Sequence, residues 1–230
     1  MKLLIWDFDG TLAFREGMWS SALVDVARAH VPGSQATRED FAPHLKSGFF
    51  WHVPEQSHEH IGSPEEWWNL ISPVLVRALT AVTGITPTRA NDLMPVVRGT
   101  FVNPQHWSLF EDVLPCLQTL SSQGWTHVVL SNHVPELPEL VHALGLTPHI
   151  AKVFNSATLG YEKPHAKAFA AVREAFPSAS TAWMIGDNYN ADILGAEAAG
   201  LKAILVRRPN PAATAYHESL TSIPAALTEA

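Results

Sequence analysis

Four short polar clusters hold the residues of this chain best suited to chemistry. They are Asp7-Phe8-Asp9-Gly10-Thr11, Ser131-Asn132-His133, Glu162-Lys163-Pro164, and the stretch from Gly186-Asp187-Asn188 to Asp192. Brought together, they would set four carboxylates, Asp7, Asp9, Asp187 and Asp192, against the single ammonium of Lys163. Two carboxylates about 4 Å apart repel by roughly 1–4 kcal/mol at surface-like dielectrics, and one lysine cannot neutralise four. A divalent cation can. An all-oxygen donor set with few neutral donors favours Mg²⁺ over zinc, and Mg²⁺ usually binds together with a substrate phosphate. Thr11, Ser131 and Asn132, with the backbone N–H groups near Gly10, suit phosphate oxygens.

The clusters can meet only if the elements around them bring them together. Leu3-Leu4-Ile5-Trp6 is a continuous apolar run, as expected of a strand buried on both faces of a parallel sheet. Similar runs stand at 127–130, 182–185 and 203–206, with a weaker one at 152–154. Helical spacing appears between them: Val113, Leu117 and Leu120 end before Gly124, and Leu137, Leu140, Val141 and Leu144 before Gly145. Ala168, Phe169, Val172 and Phe176 precede Pro177, and Ile193, Ala196 and Ala199 precede Gly200. Gly and Pro at these ends suit helix C-termini. Strands alternating with helices predict an α/β fold, a doubly wound and mostly parallel sheet covered on both faces. Each polar cluster follows an apolar strand run directly or closely, and such sheets bind ligands outside the carboxyl ends of their strands.

The first strand breaks this rhythm. From Thr11 to about Phe101 no strand-like run appears, and helical patterns cover 19–30, 38–49, 64–83 and 88–98. This predicts a helical insertion at 15–99 within a catalytic core of 1–14 and 100–230. The stretch from Arg207 to Ala230 is expected to wrap the surface with one short helical piece.

Composition narrows the partners. The 230 residues carry a net charge of -7, which argues against a nucleic-acid or anionic-membrane surface. The longest basic run, Arg207-Arg208, is too short to alter that. A lone cysteine, Cys116, allows no internal disulfide. Four apolar residues before Asp7 are too few for a signal peptide, and no stretch approaches the ~18 residues of a membrane span. The expectation is a soluble cytoplasmic protein, monomer or homodimer.

Each cluster has a plainer reading. Asp-Gly pairs mark turns, and Asp or Asn after a strand caps the next helix. Lys163 alone would be a solvated lysine, Pro164 a first-turn proline. Turn chemistry accounts for one such cluster and poorly for four. His133 could edge the pocket or be a loop histidine. His52, His58 and His60 form a loose group more like a polar loop than a zinc site. Trp19, Trp51, Trp67 and Trp68 are expected to fill the core of the insertion, although one of them, or Phe49-Phe50, could line a pocket.

In their order and spacing the four clusters resemble the signatures of the haloacid dehalogenase superfamily, over residues 1–14 and about 100–210. The insertion is similar in position and type to that family's small helical cap, which closes over the site. The resemblance implies that Asp7 attacks phosphorus to form an aspartyl-phosphate, while Asp9 acts as general acid and then base. It implies Mg²⁺ held by Asp7, the Asp9 carbonyl oxygen and Asp187, with Asp192 in support. Ser131 and Lys163 would hold the phosphoryl group, with Gly10, Thr11 and the Asn132 backbone completing the cradle. The implied substrate is a small phosphorylated metabolite. A phosphomutase shares all four signatures. A 2-haloacid dehalogenase lacks an acid at the Asp9 position, and a non-catalytic binding protein would not need the Asp7–Asp9 pair.

Overall fold

The computed structural model describes residues 1–228. The apolar runs become strands. β1 (Lys2–Trp6) lies at the centre of a six-stranded sheet. The short β2 (Ala13–Phe14) pairs antiparallel with β3 (Ser108–Leu109) in a separate ribbon. The large sheet is completed by β4 (Trp125–Ser131), β5 (Ile150–Asn155), β6 (Thr181–Gly186), β7 (Lys202–Val206) and β8 (Tyr216–His217). Its order is β5-β4-β1-β6-β7-β8, and all its pairings among the described residues are parallel.

β1 is buried because it has a neighbour on each side. Leu3, Leu4, Ile5 and Trp6 are at most 1% exposed, so both faces of the strand are covered. Removing such side chains from water contributes about 1.5–3 kcal/mol apiece, which is why the strand carries no alternating polar residue. One face, with Leu3, Ile5, Val128, Leu130, Met184 and Leu205, packs on Ala168, Phe169 and Val172 of the helix Ala166–Ala175. The chain leaves β1 for β4 and β5 on one side, then returns for β6 to β8 on the other. This reversal places a crevice at the carboxyl end of β1.

The chain divides into two compact units. The first comprises Met1–Phe14, Pro54–His60 and the chain from Ser108 onward; the second comprises Arg15–Val53 and Ile61–Trp107. Two differences from the sequence expectation follow. The second unit extends to Trp107, whose indole N–H donates to the Phe101 carbonyl at 2.9 Å. The stretch Pro54–His60 lies with the first unit.

Within the second unit, the helix Pro64–Thr83 has the bounds its pattern predicts, with Ser63 accepting from the Glu66 amide and Gly84 ending it in the left-handed region. The pattern at 38–49 instead gives a single turn, Arg38–Phe41, followed by a 3₁₀ turn, Ala42–Leu45. Pro43 has no N–H to donate back into the first turn, which weakens a helix at that point, and here the chain tightens into the 3₁₀ turn instead. For the same reason Pro95 divides the pattern at 88–98 into Pro87–Asp92 and Met94–Val102. An aromatic cluster fills the unit's core: Trp19 stacks on Phe101 at 3.8 Å, and Phe49 on Trp51 at 4.6 Å. Beyond Arg207, β8 joins the sheet and a short helix follows at Ile223–Ala226. Residues 229 and 230 of that predicted wrap lie outside the described residues. No helix among the described residues is long and apolar enough to cross a membrane.

Candidate active site

Asp7 is the first residue beyond β1, and its amide donates to the Ile185 carbonyl at 2.9 Å, so the sheet's own ladder fixes it. Its buried carboxylate gathers donors from its own loop and from two other segments. Oδ1 accepts from Ser131 Oγ at 2.9 Å and Lys163 Nζ at 2.7 Å, and Oδ2 accepts from Thr11 Oγ1 at 3.3 Å. Ser131 is the last residue of β4, while Lys163 lies in the loop after the short helix Ser156–Leu159.

Lys163 also donates to Asp192 Oδ1 at 2.6 Å. Burial opposes its charge, yet Asp192 and Asp7 outweigh burial and hold the ammonium above its usual range. Its backbone is tied to Asn132 twice: Lys163 N–H donates to Asn132 Oδ1 at 2.7 Å, and Asn132 Nδ2 donates to the Lys163 carbonyl at 2.8 Å. The Asn132 side chain is therefore committed to the lysine loop, and its backbone amide is the group that could face a phosphate.

Asp192 is engaged through both oxygens, since Oδ2 accepts from the Asn188 amide at 2.9 Å. It lies in a π-helical turn, Tyr189–Leu194, a rare form often found at functional sites. Asp187, buried beside β6, is different. Its Oδ2 accepts no hydrogen bond; Arg208 Nε stands 2.9 Å away at ion-pair distance without hydrogen-bond alignment. Burial, then Asp7, pushes Asp187 up to about 7, and burial pushes Asp192 up to about 6. Gly10 makes this crowding possible. It has φ +80°, and a Cβ there would stand 2.3 Å from Asp187 Oδ2.

One oxygen from each of Asp7, Asp187 and Asp192 lies within 4.8 Å of the others. A buried all-oxygen set with excess negative charge and an oxygen that accepts no hydrogen bond fits a hard divalent cation.

Asp9 stands at the rim with a quarter of its side chain exposed. Burial, then Asp7 and Asp187, raises its carboxyl well above the usual range, so the proton is favoured there. His133 is buried against it, with Nε2 3.5 Å from Asp9 Oδ1 and Nδ1 3.2 Å from the Val134 carbonyl. Burial pushes His133 down to about 4. A neutral ring donating from Nδ1 to Val134 presents Nε2 as an acceptor towards a protonated Asp9. The structure thus brings Asp7, Asp9, Gly10, Thr11, Ser131, Asn132, His133, Lys163, Asp187 and Asp192 together beyond the carboxyl ends of the strands of the first unit. The set could support nucleophilic attack by one carboxylate and proton transfer by another.

Of the three loosely grouped histidines, only His58 is buried with the first unit, where its Nε2 lies 3.5 Å from Glu162 Oε1. His52 belongs to the second unit and accepts from the Phe49 amide. In the sequence, Arg208 stands out only as half of the basic pair Arg207-Arg208. Its place just after a strand was the available signal.

A family model described as "Hydrolase: haloacid dehalogenase-like hydrolase" matches residues 1–200. The chain is 26% identical over 232 residues to haloacid dehalogenase-like hydrolase domain-containing protein 3 of Bos taurus, covering 96% of this chain and 87% of that one. It is 28% identical over 228 residues to a phosphoserine phosphatase of Thermus thermophilus, covering 90% and 89%. Among solved structures, YfnB of Bacillus subtilis, bound to magnesium, superposes with a TM-score of 0.76 at 19% identity, covering 99% of this chain and 98% of that one. An L-2-haloacid dehalogenase of Xanthobacter autotrophicus does so at 0.72 and 17%, with the same coverage. At these identities the structural likenesses establish the fold alone.

Proposed function

The chain belongs to the haloacid dehalogenase-like hydrolase family, and from that premise we propose that it is a Mg²⁺-dependent phosphohydrolase acting on a small phosphorylated metabolite. The observation that carries this reading is the contrast between two acids two residues apart: Asp7 surrounded by donors, Asp9 at the rim in a setting that favours its proton. Donors gathered on one carboxylate suit it to nucleophilic attack, and a carboxyl that favours its proton suits the other to act as the acid.

Asp7 attacks phosphorus in line. A bond forms from its carboxylate oxygen to phosphorus as the bond to the leaving oxygen breaks, and Asp9 gives that oxygen its proton. Asp9, now a carboxylate, takes a proton from water as the water attacks the aspartyl-phosphate; the bond from phosphorus to Asp7 breaks and phosphate is released. Ser131 and Lys163 hold the phosphoryl oxygens, with Thr11 and the amides at Gly10 and Asn132 around them. Asp7, Asp187 and the Asp9 carbonyl oxygen would hold Mg²⁺. Asp192, with both oxygens engaged, supports them through Lys163 and the Asn188 amide. When bound, the ion supplies positive charge against the charge that develops on the transferring group.

The named phosphatase among the relatives favours a phosphorylated substrate. The dehalogenase likeness is one of fold, and Asp9 weighs against it, since attack on carbon needs no leaving-group acid. A phosphomutase would use the same residues but return the phosphoryl group to a sugar, with slow net release. Purified protein should release phosphate from p-nitrophenyl phosphate with Mg²⁺ and stop on chelation or with Asp7→Asn. Halide release from a 2-haloacid without metal, with no phosphate release, would overturn the reading.

A further inference from the structure

Two buried titratable groups of the first unit take no part in the chemistry above: His58 and Glu162, 2% and 0% exposed. Burying polar groups costs free energy unless they find partners, so what they touch is informative. His58 arrives on Pro54–His60, whose chain neighbours Val53 and Ile61 both belong to the second unit. Its amide donates to the Gly160 carbonyl at 2.8 Å. Its Nε2 lies 3.2 Å from the Ser156 carbonyl and 3.5 Å from Glu162 Oε1. Gly160 has φ +75°, and a Cβ there would stand 2.6 Å from the Glu59 backbone, so the two segments approach this closely only because residue 160 is glycine. Beside them the Tyr161 hydroxyl donates to Glu59 and accepts from Lys167 Nζ.

The loop Gly160–Lys163 is thus gripped from two sides. Asn132 holds it with a reciprocal pair of hydrogen bonds, and His58 and Glu59 hold the opposite end. Lys163 follows Glu162 directly, and its Nζ must reach both Asp7 and Asp192.

We infer that Pro54–His60 is a strap that positions Lys163, and that His58 is the residue through which it acts. Burial pushes Glu162 up to about 8, against the Ser156 hydroxyl and the Lys163 charge, and burial pushes His58 down. Both groups are therefore largely neutral at pH 7, and His58 is held by its amide on the Gly160 carbonyl and its ring nitrogen against the Ser156 carbonyl rather than by a charged pair with Glu162. A neutral Glu162 also leaves the Lys163 ammonium to its two aspartates.

The inference rests on the proposed role of Lys163 in holding the phosphoryl group, and the experiment separates the two. The full-length, Mg²⁺-loaded protein is assayed for kcat and KM on p-nitrophenyl phosphate, for inhibition by orthovanadate, and for melting temperature. Lys163→Met should abolish vanadate inhibition; if it does not, the phosphoryl-holding role fails. Once it does, His58→Ala should lower kcat about 10- to 100-fold, the scale of a misplacement near 1 Å, and weaken vanadate in proportion, with KM changing less. His58→Gln, which keeps a side-chain N–H, should recover most of both. Folded His58→Ala with unchanged kcat and vanadate affinity overturns the strap. If His58→Ala does not fold, Gly160→Ala takes its place, since it forces the two backbones apart without removing a polar group. The same parallel loss is expected, and unchanged values are equally fatal.

Discussion

Asp7 and Asp9 differ in what surrounds them. Three side-chain donors converge on Asp7, whereas Asp9 Oδ1 is buried without a hydrogen bond and faces a neutral histidine. Asp9→Asn should therefore slow turnover by about 10²–10⁴, the usual range for an acid/base group. The loss should depend on the leaving group. An aryl phosphate departs as a stable phenolate and needs the acid least, while an alkyl phosphate needs it most. Equal slowing of kcat/KM for both in Asp9→Asn, a ratio that reports only the steps through the first phosphoryl transfer, would remove the leaving-group role. The convergence of these residues was legible in the sequence because strand ends can be read from apolar runs. Arg208 and the His58–Glu162 contact were not, because each depends on where a loop lies rather than on spacing. A lone arginine or histidine in a loop carries no periodic signal.

The long strands were legible for a related reason. β1, β4, β6 and β7 are buried between neighbours and read as unbroken apolar runs, whereas the two-residue β2, β3 and β8 are too short to show a period. The helical pattern at 38–49 misled because periodicity registers a face and ignores the missing donor of Pro43. One polar residue inside the strands tests the packing. Trp6 Nε1 donates to His127 Nδ1 at 3.0 Å, so His127 Nε2 carries the ring's proton, 3.1 Å from Ser121 Oγ. Protonation would set an N–H against the Trp6 N–H. Burial pushes His127 down to about 4 from an ordinary 6.5. Between those values the unfolded chain binds the proton and the folded chain does not, so stability is lost as pH falls from about 6.5 towards 4. The loss approaches roughly 3 kcal/mol for this side chain. His127→Gln can accept from Trp6 and donate to Ser121 without titrating. Urea denaturation at pH 7 and pH 4.5 should show a smaller acid loss in the variant, and an equal loss in both proteins would show that His127 does not titrate this way.

At the scale of the molecule, a chain of net charge -7 concentrates buried carboxylates at one end of its sheet around Lys163, the one buried lysine among the described residues. No local pattern reveals that Pro54–His60 leaves its neighbours in sequence to join this unit, because unit membership is set by contacts between distant segments. The acid excess makes the metal a matter of stability as well as catalysis. At pH 8 Asp187 is largely ionised against the opposition of burial and Asp7. Its ion pair with Arg208, whose side chain is 73% exposed, returns little. A cation that binds only the folded chain stabilises it by about 2.7 kcal/mol at a hundredfold excess over Kd, or roughly 5–10 °C in melting temperature for a chain of this size. Asp187→Asn removes the opposed charge and the ligand together. The metal-free variant should therefore melt above metal-free wild type, respond little to Mg²⁺, and give no binding heat on titration with Mg²⁺. A variant that keeps the full Mg²⁺-induced rise would place the ion elsewhere. One that melts lower than wild type without metal would mean that the Asp187 carboxylate stabilises the fold in its own right.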